Sequence, residues 1–121
     1  MTENKRTVEC YMDGFRRTDR DQILSCLAED VEWLIPGAFH VHGKAAFDGH
    51  IVDPGFVSHP ASDIARLTEE DDVVVAEGSV RAQRQDGSTV CLVFCDVFEM
   101  SGGKIRRLTS YLMETPPADD R

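Results

Sequence analysis

An α+β domain, with helices first and then a curved, mainly antiparallel sheet, follows from three features of this sequence. Apolar residues near the N-terminus recur at helical spacing. Those of the second half fall in strand-length runs that end in turn-forming residues. Asp86-Gly87 and Ser101-Gly102-Gly103 are those turns, and helices followed by a meander make an α+β layering. The chain of 121 residues reads as one domain, 1–121, long enough for one hydrophobic core.

The elements follow in order. Residues 5–17 read as a helix because Val8, Tyr11, Met12 and Phe15 keep the i, i+3, i+4, i+7 pattern of one apolar face. A second helix opens where Asp19 precedes Gln22 by three residues, a capping arrangement, and runs to Glu29-Asp30 with Ile23, Leu24 and Leu27 inward. Val31–Ile35 is a short strand stopped by Pro36-Gly37, and residues 38–43 read as a loop carrying His40 and His42. Residues 44–51 form a short helix with Phe47, His50 and Ile51 on one face, broken at Asp53-Pro54-Gly55. Strands are expected over 62–67, 73–85, 90–100 and 104–114, and the tail from about residue 115 should fray.

Composition narrows the function classes. Charged residues make up 29% and hydrophobic ones 41%, the balance of a folded globular chain. No apolar run approaches the roughly 20 residues of a membrane helix, and MTENKRTVEC lacks the apolar stretch of a secretory signal, so a cytoplasmic protein without a membrane partner is expected. A formal net charge of -9 repels phosphate backbones and argues against nucleic acid. Cys10, Cys26, Cys91 and Cys95 form no CxxC pair and read as reduced, buried thiols; Cys91 and Cys95 sit roughly 13 Å apart along a strand, too far for a bridge.

The strand 90–100 is apolar on both faces. Leu92, Phe94, Phe98 and Met100 point one way; Cys91, Val93, Cys95 and Val97 point the other. Helices can cover one face. A second copy of the chain is the simplest cover for the other, so a homodimer is expected there.

Asp96 interrupts this run on the same face as Leu92, Phe94 and Phe98. A carboxylate so placed must be paired, hydrogen-bonded or protonated. If Asp86-Gly87 is a two-residue turn, Gln85 faces Ser88 and Glu77 falls opposite Asp96, where a shared proton would raise one pKa. Glu77, Ser79, Arg81 and Gln83 alternate with small and apolar residues. They form either a solvated face or the polar wall of a pocket. Tyr11 is either a core aromatic or a hydrogen-bond donor into a cavity. His50 is either a half-buried packing residue or a general base. Trp33 reads as core or pocket lining. The His40/His42 spacing does not mark a metal site, and no metal or cofactor is expected; no nucleotide-binding glycine motif and no Ser or Cys nucleophile motif occurs.

LAEDVEWLIPG, HGKAAF and the closing FCDVFEMSGGKIRRLTSYLMET resemble SnoaL-like, polyketide-cyclase-like members of the nuclear transport factor 2 (NTF2)-like superfamily, which also holds ketosteroid isomerase and limonene-epoxide hydrolase. The resemblance implies a cone-shaped α+β barrel, with three N-terminal helices packed in a strongly curved, mixed but mainly antiparallel sheet. It also implies one internal pocket and dimers through the sheet's convex side. Tyr11 and Asp96 match the tyrosine and protonated aspartate of the isomerase oxyanion hole. The isomerase base falls near Trp33 or Ile35, neither of which takes a proton, and His50 matches a pocket-lining position that can replace it. The hydrolase's Asp-Arg-Asp set falls near Glu77, Ser79 and Ser110, so that activity is not expected. The implied site therefore has Tyr11, Asp96 and His50 as catalytic residues, and Trp33, Glu77, Ser79, Arg81, Leu92, Phe94, Leu108 and Ser110 as its lining. The expected ligand is a small hydrophobic carbonyl compound, either isomerised or cyclised through an enolate or simply bound.

Overall fold

A computed structural model describes residues 1–52, 55–57 and 60–116. The chain order is α1 (Glu3–Arg17), α2 (Arg20–Ser25), β1 (Leu27–Ile35), β2 (Phe39–His42), α3 (Lys44–Asp48), β3 (Ala61–Glu70), β4 (Val73–Gln83), β5 (Thr89–Ser101) and β6 (Lys104–Thr115). The strands form one open six-stranded sheet in the order β2-β1-β6-β5-β4-β3. Its one parallel pair is β1 with β6; the other neighbours run antiparallel. The three helices pack against this mixed sheet, the cone-shaped α+β arrangement of NTF2-like proteins, except that α3 follows two strands.

Local chemistry sets the helix ends. Thr2 caps α1 by accepting from the Lys5 amide at 3.1 Å, and Thr18 closes it in the left-handed region at φ 51°. Asp19 caps α2 through the Gln22 amide at 3.1 Å, as its spacing predicts. A Cβ on Gly14 would lie 2.9 Å from Ile23 Cγ1, so glycine lets α1 and α2 approach. The second helix nevertheless stops at Ser25, not near Asp30. The Ile105 amide bonds the Cys26 carbonyl at 2.9 Å and Leu27 pairs with Ile105, so parallel strand pairing claims residues that local pattern assigns to a helix.

The expected loop 38–43 is largely strand. Pro36-Gly37 turns the chain so that the Ala38 amide reaches the Ile35 carbonyl at 2.9 Å, and Phe39–His42 pairs antiparallel with β1. The four later strands fall where alternation and turns place them. The predicted break at Asp53-Pro54-Gly55 involves residues 53 and 54, and the tail runs to residues 117–121; all of these lie outside the described residues.

One register differs from expectation. The Gly87 amide bonds the Arg84 carbonyl at 2.9 Å with Gly87 at φ +90°, and Gln83 pairs with Thr89. The hairpin loop is therefore the three-residue form, a turn followed by a left-handed glycine, rather than a two-residue turn. Every cross-strand pair moves by one residue. Asp96 faces Ala76, and Glu77 faces Cys95. A one-residue shift sends a side chain to the other face of the sheet, so Glu77 and Asp96 lie on opposite faces.

The inner face and the helices enclose the core. Val8, Ile23, Leu27, Val31, Phe47, Val74, Phe98, Ile105 and Leu108 are fully buried. Stripping a side chain of this class from water is worth about 1.5–3 kcal/mol, so this cluster holds the helices in the bend of the sheet. All four cysteines are free thiols, but of the four expected to be buried only Cys26 is; Cys91 and Cys95 are half-buried and Cys10, off the inner face of α1, is exposed. Among the described residues no helix is long and apolar enough to cross a membrane.

Candidate active site

Between α1 and the inner face of the sheet lies a cavity of about 180 Å³. Tyr11, Met12 and Phe15 line it from α1, Trp33 and Ile35 from β1, Phe94 and Asp96 from β5, and Ser110 from β6. Arg16, Pro60, Ser62, Val80 and Leu112 complete its lining. A second hollow of about 190 Å³ shares Phe15, Pro60 and Val80 with it and continues past Ile51, Phe56, Ala82 and Leu92. Both are mainly apolar, the character of small-molecule sites.

The Trp33 indole Nε1 donates to Ser110 Oγ at 3.1 Å, and its ring stacks on Phe47 with centroids 4.4 Å apart. Asp96 is 8% exposed, and its Oδ1 is buried with no hydrogen-bond partner among the described residues. Burial pushes the Asp96 carboxyl up from its ordinary 3.8 to about 7, while the Ser110 hydroxyl pulls it partly back. Tyr11 is 2% exposed and packs against Phe15, Phe47 and Phe98. Burial, then the charge on Asp96, then Cys26 hold its phenol well above the ordinary range, so it stays protonated. A neutral carboxyl and a phenol are both hydrogen-bond donors.

The structure thus brings together Tyr11, Trp33, Phe94, Asp96 and Ser110, with Leu92 in the adjoining hollow. It does not bring in the others. His50 is exposed; its Nδ1 lies 3.0 Å from the Ala46 carbonyl and its ring packs on Phe39 at 4.4 Å. The short third helix ends at Asp48, and His50 beyond it is not among the residues that line the cavity. Leu108 is fully buried in the core and does not line the cavity. Glu77, Ser79 and Arg81 point outward through the shifted register, and Glu77 binds Arg66 at 2.7 Å. They belong to the solvated face, and the raised pKa of Asp96 comes from burial without a contribution from Glu77.

Sequence reasoning missed Met12, Phe15, Arg16, Ile35, Pro60, Ser62, Val80 and Leu112 as lining residues. Met12 and Phe15 were legible as neighbours of Tyr11 on one helix face. Val80 is legible only with the correct hairpin register, and Ser62 only with the bend of the sheet.

The fold is of NTF2-like architecture. The chain belongs to the SnoaL-like domain family, whose model matches residues 8–108. An NTF2-like protein of unknown function from Burkholderia pseudomallei K96243 is 24% identical over 93% of this chain and 92% of its own, with a TM-score of 0.83. A candidate polyketide cyclase from Xanthomonas campestris pv. campestris is 27% identical over 90% of this chain and 89% of its own, at 0.82. An epoxide hydrolase of the LEH-like type from M. tuberculosis is 19% identical over 92% and 83%, at 0.80. No curated protein matches the sequence.

Proposed function

We propose that the cavity binds a small, mainly apolar molecule through a carbonyl-type oxygen, which accepts hydrogen bonds from a protonated Asp96 and from Tyr11. The observation that carries this reading is the Asp96 Oδ1 atom, buried beside Tyr11 and unpartnered. A buried polar atom costs free energy until something bonds it, so a ligand that does so gains affinity and chemical selectivity. The candidate polyketide cyclase among the structural neighbours is consistent with a small-molecule pocket.

A second reading has the protein act on that molecule as an isomerase or cyclase. Two donors on one oxygen would stabilise an enolate as charge develops. Among the described lining residues Asp96 is the one carboxylate and no histidine is present. With Asp96 and Tyr11 both donating to that oxygen, neither can take the proton, so the base in this reading would be a bound water or a group of the substrate itself. A second copy of the chain would cover the outward face, where Val93, Tyr111 and Met113 are 44%, 52% and 68% exposed.

Native mass spectrometry of the protein as purified from cells, followed by denaturing release, tests the binding reading. A carbonyl-bearing small molecule should accompany wild type and Asp96→Asn and be depleted from Asp96→Leu. Equal occupancy in all three would overturn it. Turnover of the released compound by wild type, lost in Asp96→Leu, separates enzyme from binder.

A further inference from the structure

On the outer face of the β1–β2 hairpin, the pairing of the strands assembles a group that the spacing of His40 and His42 alone does not disclose. Alternation puts both imidazoles on one face of β2, and the register sets Glu32 directly across from His42. The face is the one turned away from the cavity: Trp33 and Ile35, the neighbours in β1 that line the cavity, point to the other side. His40 Nε2 lies 3.0 Å from Glu32 Oε2, and the two imidazole rings lie 4.6 Å apart, tilted by 38°. One donor atom from each of Glu32, His40 and His42 falls within 4.8 Å of the other two.

We propose that Glu32, His40 and His42 form a binding site for a divalent transition-metal ion of the zinc type. Two imidazoles and one carboxylate are the donor set that such ions favour over the all-oxygen sets of magnesium and calcium. Around an ion with bonds of about 2.1 Å, tetrahedral donor atoms stand roughly 3.4 Å apart. The widest pair here must close by up to roughly 1.4 Å to meet that spacing, a modest rotamer change for side chains that reach solvent. Both histidines are exposed, so an ion has an open path and keeps positions for water.

One group opposes the ion. Arg107 sits across from Glu32 on β6, with Nη1 3.9 Å from the Glu32 carboxylate. Its Nε lies 3.7 Å from Glu99, an alternative anion on β5. An incoming cation would therefore displace Arg107 towards Glu99 and take over the Glu32 charge. Bound there, the ion would tie the edge strand β2 to β1 and raise stability by mass action.

The test uses the full chain, stripped of metal with a chelator and kept reduced, and titrated with Zn²⁺ by calorimetry. The comparison is the His40→Ala/His42→Ala double variant, which keeps all four thiols. The expected result is one equivalent bound per wild-type chain, with a rise in Tm. Losing a ligand costs at least as much as losing an outer-shell partner, on the order of tenfold to hundredfold in affinity, so the double variant and Glu32→Gln should each fall by that much. Arg107→Gln should bind more tightly than wild type. Equal zinc binding by wild type and the double variant, or none by wild type, would overturn the site. So would unchanged or weaker binding in Arg107→Gln, because the carboxylate would then not be a ligand.

Discussion

Replacing Asp96 with Asn should make the protein more stable at neutral pH and leave it nearly unchanged in acid. The carboxyl titrates near its ordinary 3.8 in the unfolded chain and at about 7 in the folded one. Below pH 3.8 both states hold the proton and the group costs nothing. As pH rises from there, the unfolded state releases its proton first, so stability falls until pH passes the folded value and then levels off. The shift spans about 3 pH units, and each unit corresponds to about 1.36 kcal/mol, so the penalty above pH 7 is on the order of 4 kcal/mol. Asp96 is nearly inaccessible, so solvent screening takes little from this figure. Asn keeps the shape and a donor and carries no charge. Urea unfolding of wild type and Asp96→Asn at half-unit steps from pH 4 to 8 reads the difference. Asp13, Glu32, Asp48, Glu69 and Asp86, whose carboxyls their partners hold below the ordinary range, give both proteins the opposite slope and cancel in the subtraction. The difference should grow steadily across the interval and then flatten. A difference that is constant with pH would refute the reasoning, because Asp96 would then ionise alike in both states.

Other perturbations probe the surroundings. Ser110→Ala removes the acceptor of the Trp33 indole and the hydroxyl that draws the Asp96 carboxyl down; it should cost about 1 kcal/mol and raise the Asp96 pKa, read by NMR titration. Gly78→Ala puts a Cβ onto the Asp63 carbonyl oxygen and within 2.8 Å of the Phe94 ring; a loss of roughly 3 kcal/mol is expected in chemical unfolding. Val93→Lys places a charge among the outward apolar residues; sedimentation should find wild-type dimers at micromolar concentration and the variant dissociated or aggregated, and a wild-type monomer would remove the proposed dimer.

Much of the architecture was legible because its causes are local. Apolar spacing on α1, the Asp19 cap and the turn at Gly102-Gly103 act within a few residues of themselves, and their elements lie where that chemistry puts them. Asp96 was legible as a site residue because an acid in an apolar run is costly wherever the run folds. Two features were not local. Residues 27–30 leave the helical pattern because Leu27 pairs with Ile105, a partner far along the chain. The sequence leaves the face of Glu77 open, because Asp86-Gly87 marks a hairpin without deciding between its two- and three-residue forms, and one residue of register decides the face. His50 left the candidate site for a similar reason: its direction depends on where a short helix stops.

The central claim is that Asp96 faces the cavity with a carboxyl that keeps its proton in a substantial share of molecules at neutral pH. Carboxyl-carbon NMR titration of the wild type, with the Asp96 signal assigned by its absence in Asp96→Asn, measures this directly. The expected midpoint is near pH 7, moving upward when a carbonyl ligand fills the cavity and bonds the neutral form. A midpoint at the ordinary 3.8 would contradict it, because an ionised Asp96 donates no hydrogen bond to such a ligand.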